Sequence, residues 1–412
     1  MYNSFRSQNA LAGQDAWYCA YSHPDAGLRG ALSVSRPISG EGVVSDKEGF
    51  KLLLTHCLEK VWEGDVEGVL RTEETQVIIS HLSSFTNREF KFLADILLED
   101  NRFARMSLMS QPILASMGFG VPSLLVVDIG AYSTRVVPVY ESYCLSQCVA
   151  TSHVGGEHMT EYMELLLHAQ KQEQYSSLLL RRRQQLAREI KENHCFIASS
   201  FEECVEMYGT FQFASEKVMH DVCGGEAMKS SEGTTENTSD IEVTECFTLA
   251  DGSSSITVTV DRELFYCPEV LFSPSLLDQC VEEASIVDSV VTSVRSLDDS
   301  IRTEISQTIL ITGNSSQLEG LTERLETVLR QPLANLGVVD FVVVSGPSSS
   351  SSSSTSALSD KEAAINENMS WLGSNQVVLA SILAEKKVSL PNSISLADFE
   401  KGGESTFASL YT

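Results

Sequence analysis

The chain has 412 residues, 42% hydrophobic and 21% charged, and its 56 acidic against 29 basic side chains give a formal net charge of −27. That balance argues against direct nucleic-acid binding, because a phosphate backbone must be met by clustered Lys and Arg. The length suits two large lobes rather than one domain, no window holds the roughly 18 uninterrupted apolar residues of a membrane helix, and the opening MYNSFRSQNALAGQDAWYCAYS has no apolar core of the signal-peptide kind.

Residues 26–44 are turn-rich with short β-like pieces. A helix is predicted over Ser45–Trp62, with Ser45 as N-cap and Glu48 as its capping-box partner. Thr75–Leu82 (TQVIISHL) reads as a strand, Thr86–Asp100 as an amphipathic helix, and QPILASMGFG, from Gln111, as a short helix ending in glycine. SLLVVDIGAYSTRVVPVYESY (Ser123–Tyr143) then reads as a buried strand, a tight Asp-x-Gly turn and a strand going back out. CVATSHVGGEHMTEYMELLLHAQ adds a strand, the Gly155–Gly156 pair and a helix opening near Thr160. This rhythm predicts a mixed α/β sheet with helices on its faces.

The basic run LLLRRRQQLAREIKE lies on a helical pattern and reads as a solvated helix face. Residues 208–250, rich in Gly, Ser, Thr and Glu and without periodicity, read mostly as an exposed acidic insertion. Ile256–Val260 resumes as a period-2 strand before a Pro-punctuated turn. TILITGNSSQLEGLTERLETVLRQ reads as a strand, a Gly313–Asn314 turn and a helix. Ser345–Asp360 is a low-complexity linker, and MSWLGSNQVVLASILAEKK a last core helix. Ten cysteines are scattered without Cys-x-x-Cys or zinc spacing, so they read as reduced, mostly packed thiols of a cytosolic or nuclear protein, with no structural metal.

Several blocks, taken in order, resemble actin and the actin-related proteins. QPILASMGFGVPSLLVVDIG is similar to the segment from that family's catalytic glutamine to its second phosphate loop, with no gap between Gln111 and Asp128. VVPVYESYCLSQCVATSHVGGEHMTEYMELLL resembles the strand pair and helix that follow. REIKENHCFIASSFEE resembles the helix carrying a nucleotide-site Lys-Glu pair, here Lys191 and Glu192. ITVTVDRELFYCPEVLFSPSLL, DDSIRTEISQTILITGNSSQLEGLTERL and SWLG resemble later blocks.

The resemblance implies an α/β fold of the chaperone, sugar-kinase and actin superfamily, with two similar lobes and ATP or ADP plus Mg2+ in a central cleft. One phosphate-binding hairpin from each lobe clamps the nucleotide there, through glycine-rich backbone donors and an aspartate that organises the metal's water shell. On this chain it implies a first lobe over 1–122, a second over 123–345 with the insertion near 208–250, a Ser-rich loop at 346–360, and a segment at 361–412 returning to the core and first lobe. It makes Gln111 the candidate catalytic residue and Asp128 the candidate metal residue through water, with Asp128, Gly130, Gly155, Gly156, Lys191, Glu192, Gly313 and Asn314 bordering the nucleotide.

The sequence departs from the family pattern where phosphate should sit. The first hairpin falls on Gln8–Ala12, with Gln8 for the aspartate and Ala10 and Ala12 for the glycines. In the second, Ala131 replaces an acidic residue and Tyr132 a glycine, so a ring is expected to crowd the phosphates. Glu157 stands where the family often has Arg, and Asn314, which tolerates left-handed geometry, replaces a glycine beside Gly313. Glu367 takes the place of the basic residue that usually precedes the final Trp segment. The base and ribose side is therefore expected to be largely present, the phosphate side half dismantled, and any ATPase weak.

Between Pro37 and Gly42 only ISGE (Ile38–Glu41) stands where the family has a small second subdomain with a filament-contact loop. That implies a largely deleted subdomain and a non-polymerising structural subunit, resembling the pointed-end actin-related subunit of dynactin. Its partners would be other actin-fold or cytoskeletal subunits in the cytoplasm, with no nucleic acid or membrane. Two alternatives stay open: a nuclear actin-related subunit of a chromatin-remodelling complex, and an active ATPase of the wider superfamily such as a sugar kinase or chaperone.

Overall fold

The computed structural model describes residues 37–39, 43–63, 71–82, 85–169, 175, 178, 180–208, 243–248, 255–345, 373–374, 377–378, 393–402 and 407. The expectations for the hairpin at Gln8–Ala12, most of the acidic insertion, Glu367, the serine tract and most of the last helix lie outside these residues.

Ile38 pairs with Val44 in an antiparallel bridge, flanked by Ser39 N–H to Val43 O at 2.8 Å and Ser45 N–H to Pro37 O at 2.9 Å. Helix α1 (Lys47–Glu63) follows. Its capping acceptor is Asp46 rather than the expected Ser45: Asp46 Oδ1 accepts from Gly49 N–H at 3.0 Å, while the Ser45 hydroxyl donates to Pro37 O at 3.3 Å. The bridge ties Ser45 to the incoming chain and leaves its neighbour to serve the first-turn amide. Strand β1 (Gln76–His81) precedes α2 (Asn87–Ala94), which carries a capping box between Thr86 and Glu89. The predicted helix to Asp100 changes at Asp95 into a π-helical turn, Asp95–Asp100, burying Ile96, Leu97 and Leu98. Strand β2 (Arg105–Ser110) runs parallel to β1 from Gln76↔Arg105 to His81↔Ser110.

The described residues divide into two compact units, one within Met1–Leu114 and Gly373–Thr412, the other within Ala115–Thr248 and Ser255–Leu372. Helix α3 (Gln111–Phe119) leads into β3 (Leu124–Ile129) and β4 (Thr134–Tyr140), then β5 (Tyr143–Cys144) and β6 (Ala150–Ser152). Every residue of β3 is buried, Asp128 included, as the apolar run Leu124–Val127 requires of a central strand. Next come α4 (Gly156–Ala169), α5 (Leu180–His194), α6 (Phe201–Tyr208) and the hairpin of β7 (Val243–Thr248) and β8 (Ser255–Val260). β7 belongs to the stretch read mostly as an exposed acidic insertion; its Val, Thr and Phe suit a strand, and it pairs antiparallel with β8.

The stretch expected as a Pro-punctuated turn is instead helix α7 (Glu263–Glu269), buried throughout, with Pro268 in its last turn. Then follow α8 (Ile286–Ser296), α9 (Asp299–Ser306), β9 (Thr308–Thr312), α10 (Leu321–Ala334) and β10 (Val342–Ser345). The second unit's sheet has the order β10-β9-β3-β4-β5, with β6 also on β4; β9 runs parallel to β3 and β4 antiparallel to it. Among its core contacts, Ala115, Leu124, Val126, Val139 and Leu310 pack together.

The basic run on α5 is not the solvated face its charge suggested. Arg183 reaches Glu164 at 3.7 Å and Arg188 pairs with Glu157, both glutamates lying on α4, and the two arginine side chains are only 20% and 29% exposed. The arginines stitch α5 to α4 through carboxylates on the facing helix.

Finally β11 (Ser393–Ile394) returns to pair antiparallel with β2, and α11 (Leu396–Gly402) follows. In this first unit Phe90, Leu93, Leu97, Met106 and Leu108 bury against Ile394, Phe399 and Phe407.

Candidate functional site

The β3–β4 ladder runs from Leu124↔Val139 to Ile129↔Thr134, which leaves Gly130–Ser133 as the turn. Gly130 N–H closes it by donating to Ser133 O at 2.9 Å. The turn's outward carbonyls are then taken by α4: Gly156 N–H donates to Gly130 O at 2.9 Å, and Glu157 N–H to Ala131 O at 2.7 Å. Gly155 N–H donates to His158 Nδ1 at 3.2 Å, so that nitrogen is the imidazole's acceptor. The Thr134 hydroxyl donates to Val154 O at 2.7 Å and fixes the approach from the other strand. An open helix N-terminus presents such amides to an anion. Here the hairpin and His158 already hold them, and α4 begins at Gly156, four residues before the predicted Thr160.

Two glycines are required by this closeness. A Cβ on Gly155 would lie 2.4 Å from Gly130 O and 2.9 Å from Ala131 O. Gly313, just after β9, has φ 92° and ψ 161°, and a Cβ there would lie 2.3 Å from Ile129 O. The left-handed conformation that Asn314 was expected to tolerate falls on Gly313 alone; exposed Asn314 opens a 3-10 turn, Asn314–Gln317.

Ala131 is exposed at the hairpin tip, and the half-buried Tyr132 ring stands edge-on to His158, centroids 6.4 Å apart. Lys191 and Glu192, adjacent on α5, part ways: Glu192 is exposed, whereas Lys191 is 9% exposed. Lys191 Nζ donates to Gly156 O and to Thr160 Oγ1, both at 3.0 Å. Its ammonium therefore secures the first turn of α4, and Lys191→Met is expected to cost about 2 kcal/mol by removing two hydrogen bonds from a charged donor. A urea midpoint that moves down with an unchanged slope checks this. Glu157, expected to stand where the family often has Arg, is engaged by Arg188.

Asp128, the last residue but one of β3, lies between two partners. Thr312 on β9 and Arg135 on β4 are its register neighbours, and the Thr312 hydroxyl donates to Asp128 Oδ1 at 3.3 Å. Burial pushes the Asp128 carboxyl above the usual carboxylate range, opposed by the Arg135 guanidinium and the Thr312 bond. Burial lowers Arg135 from its ordinary value, opposed by Asp128. A hydrated divalent ion needs a carboxylate turned to its water shell; Asp128 is 9% exposed, with Thr312 on its Oδ1 and Arg135 opposite on β4, so the residues around it do not fit the Mg2+ that the resemblance implied. Among the described residues no group of three or more His, Cys, Asp and Glu side chains is placed to hold a metal.

The structure thus brings Asp128, Gly130, Gly155, Gly156, Lys191 and Gly313 to one junction of hairpin, α4 and α5. Gln111 opens α3 and is half-buried, within the residues of the first unit. Sequence reasoning missed Arg135, Thr312, His158 and Arg188. The signal for Arg135 was present, because a four-residue turn after Ile129 places it opposite Asp128 on the return strand.

A family model described as Actin matches residues 5–408. Among curated proteins, centractin of Schizosaccharomyces pombe is 25% identical over 308 residues, covering 74% of this chain and 68% of that relative. Among the described residues no helix is long and apolar enough to cross a membrane.

Proposed function

Because this chain belongs to the actin family, we propose that it is a divergent, non-polymerising structural subunit of a cytoskeletal complex, of the kind that ends or adapts a dynactin-like filament. The bridge between Ile38 and Val44 carries this reading. It returns the chain on itself within seven residues, where the family's filament-contact subdomain would be inserted. A subunit without that subdomain lacks one longitudinal face and serves at an end or a fixed position. Its partners are other actin-fold or cytoskeletal subunits, met in the cytoplasm.

An adenine nucleotide, where one binds, is bordered on this reading by Gly313, Asn314 and Glu192 on its base and ribose side. Gly130, Gly155, Gly156 and Lys191 contribute the shape of the hairpin junction rather than open donors.

Under salt and magnesium conditions that polymerise actin, the purified chain is expected to stay in the supernatant on high-speed sedimentation and to show no filaments by negative stain. Regular homofilaments would overturn the proposal. Affinity purification is expected to recover actin-fold and cytoskeletal subunits; recovery of chromatin-remodelling subunits instead would move the chain to a nuclear complex.

A further inference from the structure

Three neighbouring strands of one sheet place a carboxylate, a hydroxyl and a guanidinium side by side: Asp128 on β3, Thr312 on β9 and Arg135 on β4. Directly opposed residues of an antiparallel pair hold their Cβ atoms about 4.5–5.5 Å apart on the same face. All three residues are 9% exposed, and the Thr312 hydroxyl already occupies Asp128 Oδ1. We propose that the Arg135 guanidinium stands in for a divalent cation at Asp128, so that this hairpin recruits no Mg2+ and receives an anionic ligand as its metal-free species.

The argument is one of charge and access. Mg2+ dehydrates reluctantly and is held best through its own waters by a carboxylate facing solvent. Asp128 is instead enclosed by its strand neighbours. Arg keeps its charge inside proteins, and its repulsion of a divalent ion on the same carboxylate is twice that of a monovalent one. An anion feels no such conflict with the guanidinium, so an anionic ligand that binds beside this hairpin does so without the metal. The identity of the anion, an adenine nucleotide, rests on the function proposed above; the exclusion of metal does not.

The test uses the full-length chain with Mn2+ as the spin probe, and thermal melts in EDTA and in MgCl2. Wild type is expected to show no saturable Mn2+ site that Asp128→Asn removes, and the same melting temperature in both buffers. Arg135→Gln is expected to gain a Mn2+ site and an EDTA-sensitive melt, while Arg135→Lys keeps the wild-type behaviour. A wild-type Mn2+ site lost in Asp128→Asn, or a folded Arg135→Gln that gains none, overturns the proposal. Should Arg135→Gln fail to fold, the comparison of wild type with Asp128→Asn decides by itself. Titration with ADP separates the two readings. Affinity that falls about tenfold or more in EDTA defeats metal independence and upholds the nucleotide. No ADP binding in either buffer defeats the nucleotide reading and leaves the Mn2+ result to judge the cation.

Discussion

Gly313→Ala is expected to lower the melting temperature of the chain by about 10 °C, the size of shift that a loss of roughly 3–5 kcal/mol gives in a unit of this length. Two costs act together. The backbone at φ 92° and ψ 161° lies in a region essentially reserved for glycine, where another residue is strained by roughly 1–3 kcal/mol. The added methyl would also lie 2.3 Å from Ile129 O and 2.9 Å from Ile129 C. These are backbone atoms and cannot turn aside as a side chain would, so the end of β3 must shift, and such overpacking costs about 1–3 kcal/mol. Two further alanines separate the costs. Gly120 has φ 85° and nothing within 4 Å of its would-be Cβ, so Gly120→Ala reports left-handed strain alone, about 1–2 kcal/mol. Gly155→Ala meets Gly130 O at 2.4 Å and reports the clash against the hairpin. Calorimetric melts of the three variants give the comparison. If Gly313→Ala matches Gly120→Ala, the contact with Ile129 is not what makes glycine necessary.

Phosphate release from ATP is expected to run at least about a hundredfold below that of actin under matched conditions, since losing one well-placed donor typically costs about 10²–10³ in rate. Hydrolysis needs a metal and donors aimed at the charge developing on the transferred phosphoryl group. At this junction Gly156 N–H and Glu157 N–H are bound to hairpin carbonyls, and Gly155 N–H is bound to His158. Asp128 is closed in by Thr312 and Arg135. Gln111→Ala is accordingly expected to leave the residual rate where it is. Turnover equal to actin's that disappears in Gln111→Ala or Asp128→Ala would sink this prediction. The tip can be tested separately. Tyr132→Gly combined with Ala131→Asp is expected to strengthen ATP binding if the ring, which stands over the first turn of α4 against His158, obstructs the phosphates. No gain would clear Tyr132 of that role.

Much of the hairpin was legible because its constraints are local. A continuous apolar run such as Leu124–Val127 has few structures open to it besides a buried strand, and Gly155 and Gly313 sit where backbones approach too closely for a Cβ. What could not be read depended on partners distant in sequence. The resemblance pointed to Lys191 and Glu192 as one pair, but only the packing of α5 on α4 turns Lys191 inward and leaves Glu192 exposed. α7 escaped notice because a helix buried on every side has no apolar periodicity, and Pro268 reads as a stop although it falls in the final turn. β7 (VTECFT) carries the β-branched and aromatic residues of a strand, a signal hidden by the Gly-, Ser- and Glu-rich sequence before it, and it pairs with β8. Ser45 was the cap expected from the sequence, but its hydroxyl goes to the Pro37 carbonyl and Asp46 serves the Gly49 amide.

The closed junction of hairpin and α4 also bears on time. A ligand shifts a conformational equilibrium only as far as its affinity differs between two arrangements. A γ-phosphate that arrives or leaves beside Gly130 and Gly156 finds their amides already committed to Ser133 O and Gly130 O, and has no bond there to make or release. These two amides therefore carry no record of whether a nucleotide is fresh or spent. On the function proposed above, the grip of this chain on its neighbours is expected neither to age with hydrolysis nor to renew with exchange, so that an assembly including it takes its timing from other members.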